Sequence, residues 1–234
     1  PKSTFSDKDS APVTRMATAA VIREALFKAK RYMQDKLSAE ENEESLPEFD
    51  MKSEALIPLL KGELKAHFHC HRADDILTAV RIAEEFGLEY VLIHCTEGHL
   101  VADILGEKKA SAVAGPILCD RGKPELAGQR LENAAILHKN GVKVAICTDH
   151  PETPIQYLQT SAAYCVKSGL PKDEALRAVT VNAAELAGIS DVTGDIAVGL
   201  DADFAVTDGD PFDIMTNVKM TVIRGEIVFS ELNP

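Results

Sequence analysis

No run in the 234 residues approaches the roughly 20 apolar positions that a membrane span requires. The opening Pro1-Lys2-Ser3-Thr4 has no apolar stretch of the signal-peptide kind. Positive charge is in deficit: 25 Lys and Arg against 37 Asp and Glu leave a net charge of −12. That balance argues against nucleic acid and against an anionic membrane surface, both of which need a basic face. The five cysteines, Cys70, Cys95, Cys119, Cys147 and Cys165, are odd in number and include no C-x-x-C pair. They read as free thiols of a reducing, cytoplasmic compartment rather than as a disulfide framework. A P-loop, a dinucleotide fingerprint and a nucleophile elbow are all missing. With 14 Gly and 11 Pro, and 45% hydrophobic residues, the chain is neither collagenous nor low in complexity.

What is present is a rhythm. Residues 1–13 are polar and irregular. Thr14 is placed to cap a helix reaching about Lys36, with Ala17, Val21, Ile22, Ala25, Leu26 and Ala29 on one stripe. The acidic segment 38–50 reads as a loop, and Met51–Leu60 as a short helix. Strands are then expected over 64–70, 90–93, 111–115 and 142–147, separated by helices over 73–86, 99–107 and 131–140 and followed by one over 154–168. Such alternation means parallel strands covered by helices, in a (β/α) barrel or an open doubly wound sheet. One more helix is expected over 172–187. After Gly188, short β-rich runs punctuated by glycine suggest an antiparallel appendage with a hairpin at Arg224-Gly225.

In parallel α/β folds the chemistry stands at the C-terminal ends of strands. Here those ends read His67-Phe68-His69-Cys70-His71, Ile93-His94-Cys95 and Cys147-Thr148-Asp149-His150. Imidazole and carboxylate are what a catalytic Zn²⁺, Fe²⁺ or Mn²⁺ takes as ligands. The period of two places His67, His69 and His71 on one strand face. Asp149 follows the apolar Val144-Ala145-Ile146-Cys147, and suits a metal ligand and general base. The alternative for Asp149 is an N-cap for the helix after Pro151 or Pro154. Alternation turns Cys70, Cys95 and Cys147 away from the site, as small core residues.

Four segments together carry a resemblance: AHFHCHRADDI at 66–76, LIHCTEG at 92–98, CTDHP at 147–151 and GDIAVGLDADFAVTDGDPFD at 194–213. They resemble the C-terminal half of the metal-dependent amidohydrolase superfamily, in its imidazolonepropionase-like and prolidase-like branch. The resemblance implies a (β/α)8 TIM barrel in which these four strands are strands five to eight. Residues 14–188 would be the barrel half and 189–234 a small β segment of a composite β-sandwich. It implies a divalent metal, zinc with iron or manganese as options, held by His69, His94 and Asp149, with Asp149 also moving the proton. His71 and His150 would contact a small amide substrate. The reaction implied is hydrolysis of a C–N bond in an amide or cyclic amide by metal-activated water. Thr180-Val181-Asn182-Ala183-Ala184 resembles the family's T-x-N-x-A segment, with plain helix packing as the alternative.

The family also has a His-x-His on strand one and a Lys or Glu on strand four, and nothing ahead of Thr14 reads as those strands. The expectation is a truncated chain, inactive alone, or one whose missing half comes from another chain. Open strand edges then favour a homo-oligomer. A reading from another class is a non-catalytic remnant that acts through oligomerisation. A phosphate-binding α/β protein is the third, and it lacks the Gly-rich turn.

Overall fold

A computed structural model describes residues 11–232, which fall into two compact units. Residues 1–10, most of the segment expected to be irregular, lie outside the described residues. The first unit runs to Phe68 and takes in Asp74–Tyr90; the second holds His69–Ala73 and Val91 onward.

In the first unit, α1 (Arg15–Glu41) starts where Thr14 Oγ1 accepts from Ala17 N at 3.1 Å. It continues past the expected end, because Ala39, Glu40 and Glu41 favour helix and Ala39 is buried. Asn42 stops it by donating from Nδ2 to the Ser38 carbonyl at 2.8 Å. The acidic loop therefore begins at Asn42 rather than Ser38. The second helix, α2 (Met51–Leu60), is capped by Asp50, which accepts from Lys52 N and the Ser53 hydroxyl. Leu26 of α1 packs with Ala66, Leu88 and, from α3 (Ala73–Phe86), Ile82, Ala83 and Phe86.

The second unit carries the chemistry. The sheet order is β1-β2-β3-β4, and this unit holds the C-terminal ends of β1 (Ala66–Cys70, from His69) and β2 (Tyr90–His94, from Val91) with all of β3 (Ser111–Ala114) and β4 (Lys143–Ile146). The β2–β3 and β3–β4 pairs are parallel, with Leu92 opposite Ala112 and Ala112 opposite Val144. Helices α4 (Ala102–Glu107), α5 (Asn133–Lys139) and α6 (Leu158–Lys167) alternate with or follow the strands. Near-continuous burial of Val91, Leu92, Ala112, Ala114, Val144, Ala145 and Ile146 is what a sheet covered on both faces demands.

The helix expected over 172–187 is two helices, α7 (Lys172–Ala178) and α8 (Val181–Ala187). Three consecutive β-branched residues, Val179, Thr180 and Val181, stand at the break. The Thr180 hydroxyl also donates back to the Leu176 carbonyl at 2.8 Å. The restart gives Asn182 a purpose beyond helix packing: fully enclosed, it donates to the Val144 carbonyl of β4 at 2.9 Å.

Strands β5 (Phe204–Thr207), β6 (Val218–Ile223) and β7 (Glu226–Ser230) form an antiparallel three-stranded sheet. As expected, Arg224 and Gly225 make its hairpin turn, both with positive φ, 50° and 80°. Among the described residues no helix is long and apolar enough to cross a membrane.

Candidate metal centre

Backbone hydrogen bonds carry the strand ladder beyond the last strand residues: Cys95 N donates to Cys70 O, Glu97 N to His71 O, and Cys147 N to Ala114 O, each at 2.8–2.9 Å. Past these bonds the chain turns sharply. His94, Cys95 and Asp149 all adopt positive φ, at 70°, 45° and 53°. A non-glycine residue in that region costs on the order of 1–3 kcal/mol and persists where its surroundings over-determine it. They do so here. Asn133, buried on α5, donates from Nδ2 to the Cys95 carbonyl at 3.0 Å and accepts from His99 N at 2.9 Å.

Three imidazoles converge at these strand ends. His69, His71 and His94 each offer a ring nitrogen within 4.8 Å of the others. His69 Nε2 lies 3.0 Å from His71 Nε2. The rings of His71 and His94 stack at 4.7 Å between centroids, and His69 meets His94 edge-on at 4.3 Å. The His94 tautomer follows from its partner. Nδ1 is 2.7 Å from the Gly115 carbonyl, which only accepts, so Nδ1 carries the proton and Nε2 keeps a lone pair. Gly115 itself has φ 139°, and a Cβ there would sit 2.1 Å from the Cys147 carbonyl. Glycine at 115 therefore lets the carbonyl reach His94.

Burial, and behind it the neighbouring charges of His94 and His69, lowers the His71 pKa to about 4. His69 is lowered too, by burial first and by the charge of His94, with Asp149 opposing. Both rings are thus neutral at pH 7, with lone pairs to offer. Three imidazoles are the ligand set of a catalytic zinc site that keeps its fourth position open. The donor set fits a divalent transition metal.

Of the residues singled out in the sequence, His69 and His94 stand together, and Asp149 Oδ2 lies 3.9 Å from His94 Nε2. His71, expected at the substrate, stands inside the imidazole group. His150 is exposed and outside that group, as is His67. Cys70 and Cys95 are core residues, and burial pushes the Cys147 thiol up to about 11. Glu97 caps the entry to α3, accepting from Ala73 N at 2.9 Å. Sequence reasoning missed Thr96, whose hydroxyl lies 2.8 Å from His71 Nδ1. Its position, two residues past His94, was the available signal.

Comparison with known proteins shows which family the chain is similar to. The sequence pattern of the Amidohydrolase family matches residues 64–228. The crystal structure of an amidohydrolase from Thermotoga maritima MSB8 superposes with a TM-score of 0.93 at 40% identity, over 99% of this chain and 60% of that one. An imidazolonepropionase of Aliivibrio fischeri (strain MJ11) is 41% identical across 33% of this chain and 20% of its own length. Amidohydrolase tasK of Hapsidospora irregularis is 27% identical over 98% of this chain, which spans 25% of that protein.

Proposed function

The chain belongs to the amidohydrolase family, and from that premise we propose that it is a metal-dependent hydrolase acting on the C–N bond of an amide or cyclic amide. The observation that carries the reading is the set of three imidazole nitrogens within 4.8 Å at the ends of parallel strands. A divalent metal there, zinc first among the options, would acidify a water and polarise a substrate carbonyl. Every other part of the chemistry belongs to side chains. His69, His71 and His94 would hold the metal, the last with its tautomer fixed by Gly115. Asp149, 42% exposed and 3.9 Å from His94 Nε2, would take the proton of the attacking water on Oδ2 and return it to the leaving nitrogen. His150, exposed one residue later, would meet the substrate from the rim.

In this proposal β1–β4 are strands five to eight of a (β/α)8 barrel. Residues 14–188 make up the barrel part and 189–234 belong to a composite β-sandwich. The substrate would be a small amide, and the working form a homo-oligomer. The test supplies the chain with Zn²⁺ or Mn²⁺ and assays cyclic amides and N-acyl amino acids. Turnover that needs the metal and falls by on the order of 10²-fold or more in Asp149→Asn supports the reading. Turnover indifferent to chelator or to Asp149→Asn contradicts it.

A further inference from the structure

The connection from β3 to α5, residues 115–132, carries none of the proposed ligands, yet it is tied to both turns that flank the centre. On the His94 side, the Gly115 carbonyl lies 2.7 Å from His94 Nδ1, and Asn133, the next residue after the connection, donates to the Cys95 carbonyl at 3.0 Å. On the Asp149 side, the buried Thr153 hydroxyl donates to the Leu118 carbonyl at 2.8 Å, and Lys123 Nζ stands 3.8 Å from Glu152 Oε1. Glu152 N in turn donates to the Asp149 carbonyl at 2.8 Å. Connections that leave the C-terminal ends of parallel strands are where such folds meet their ligands, and this one borders His94 and Asp149 alike.

The same connection frames a cavity of about 370 Å³, the size of a small-molecule site. Its floor includes Ile117, 8% exposed and two residues past Gly115, so the two Cα atoms are at most about 8 Å apart. Its walls carry Arg121 and Arg130 against one acid, Glu132. In a chain with 37 acidic and 25 basic residues, neither arginine has an ion-pair partner among the described residues. Arg121 is held in place all the same. Its Nη2 donates to the Gln129 carbonyl at 2.7 Å, and Gln129 Nε2 donates to the Pro116 carbonyl at 3.1 Å. A guanidinium has five N–H donors, so one such bond orients the group and leaves most of them available.

We propose that Arg121 and Arg130 are specificity-determining residues that take a carboxylate, and that the amide cleaved at the centre carries that carboxylate beside its C–N bond. The choice of an amide rests on the function proposed above; the choice of a carboxylate rests on the cavity. The planar fork of guanidinium donors matches the two oxygens of a carboxylate. Both arginines reach solvent, so the anion enters without first breaking an ion pair. Glu132 opposes it, and the two arginines outweigh that single like charge. A neutral amide of the same shape gains nothing from either guanidinium.

Calorimetric titration of the chain with N-acetylglycine and, separately, with N-acetylglycinamide isolates the carboxylate, with Zn²⁺-dependent turnover assayed beside it. The acid should bind about 10-fold or more tightly than the amide, the effect of a charge-assisted hydrogen bond. Arg121→Gln and Arg130→Gln should each shrink that preference, and Glu132→Gln should enlarge it. Zn²⁺ affinity measured in the same variants should match the parent chain, which separates a lost carboxylate contact from a collapsed loop. Equal affinity for acid and amide, no measurable binding of either, or a preference that survives both arginine substitutions would overturn the proposal. A preference for the acid without Zn²⁺-dependent turnover would uphold the carboxylate site and count against the hydrolase reading. Turnover without the preference would do the reverse.

Discussion

In the parallel sheet and the loops that follow its strands, buried polar side chains close onto backbone carbonyls: His94 onto Gly115, Asn133 onto Cys95, Asn182 onto Val144 and Thr153 onto Leu118. In the antiparallel sheet region, side chains pair with one another in water instead, Lys219 with Asp208 and Glu231, and Arg224 with Asp201. Both regions are well supplied with polar contacts, yet the energies differ in kind. An enclosed donor that loses its acceptor bears a desolvation cost of about 1–3 kcal/mol. An exposed ion pair is worth roughly 0–1 kcal/mol and weakens with salt. The strained turns at His94 and Cys95 are flanked by contacts of the first kind, and they occur where the imidazoles gather.

The sharpest way to break this comparison is at His94. His94→Ala removes a ligand outright and should weaken Zn²⁺ binding beyond the roughly 10–100-fold expected for an outer partner. Calorimetric titration of the variant against the parent chain measures it. Next in size is a pair of glycines. Gly115→Ala sets a Cβ 2.1 Å from the Cys147 carbonyl at a φ of 139°, and should destabilise by on the order of 3 kcal/mol. It should also displace the carbonyl that orients His94 and weaken metal binding with it. Gly225→Ala, at φ 80° with open space around it, should cost only about 1–2 kcal/mol and leave metal binding alone. Chemical denaturation of the two variants compares them.

Acidity gives a smaller effect. Because the His71 pKa is lowered to about 4, the unfolded chain takes up more protons than the folded one between that value and the ordinary 6.5. The contribution to stability is complete above 6.5 and is lost as the pH falls towards 4. Thermal midpoints recorded across that window should fall with acid, and His71→Asn should flatten the slope. The smallest effect lies in the antiparallel sheet. Lys219→Ala breaks two exposed ion pairs, and should lower stability less than either glycine substitution, the loss shrinking further in high salt. A loss as large as that of Gly115→Ala would erase the distinction between the two regions.

The strands β2 and β4 were legible in the sequence because apolar, partly β-branched runs led to His94 and Asp149, and the 224–225 hairpin because of its glycine. The convergence of His69 and His94 followed from their places at strand ends. Other features left no such trace. His67, His69 and His71 share one strand face by periodicity, so alternation alone does not say which two of them belong to the centre. That choice follows from where β1 ends, at Cys70, with His69 and His71 on either side of its last residue and His67 near its start. The Gly115 carbonyl is backbone, and no residue type announces it. The extension of α1 through Glu41 was hidden by acidity that reads equally well as loop, and the break at Thr180 by an apolar pattern that continues through it.

The central claim is that His69, His71 and His94 together hold one divalent metal. Crystals of the chain grown with Zn²⁺ and measured on either side of the zinc absorption edge test it most directly. The account predicts one anomalous peak at about 2.0–2.1 Å from a ring nitrogen of each of the three histidines. A peak bound by other residues, or by only one of these three, would contradict it.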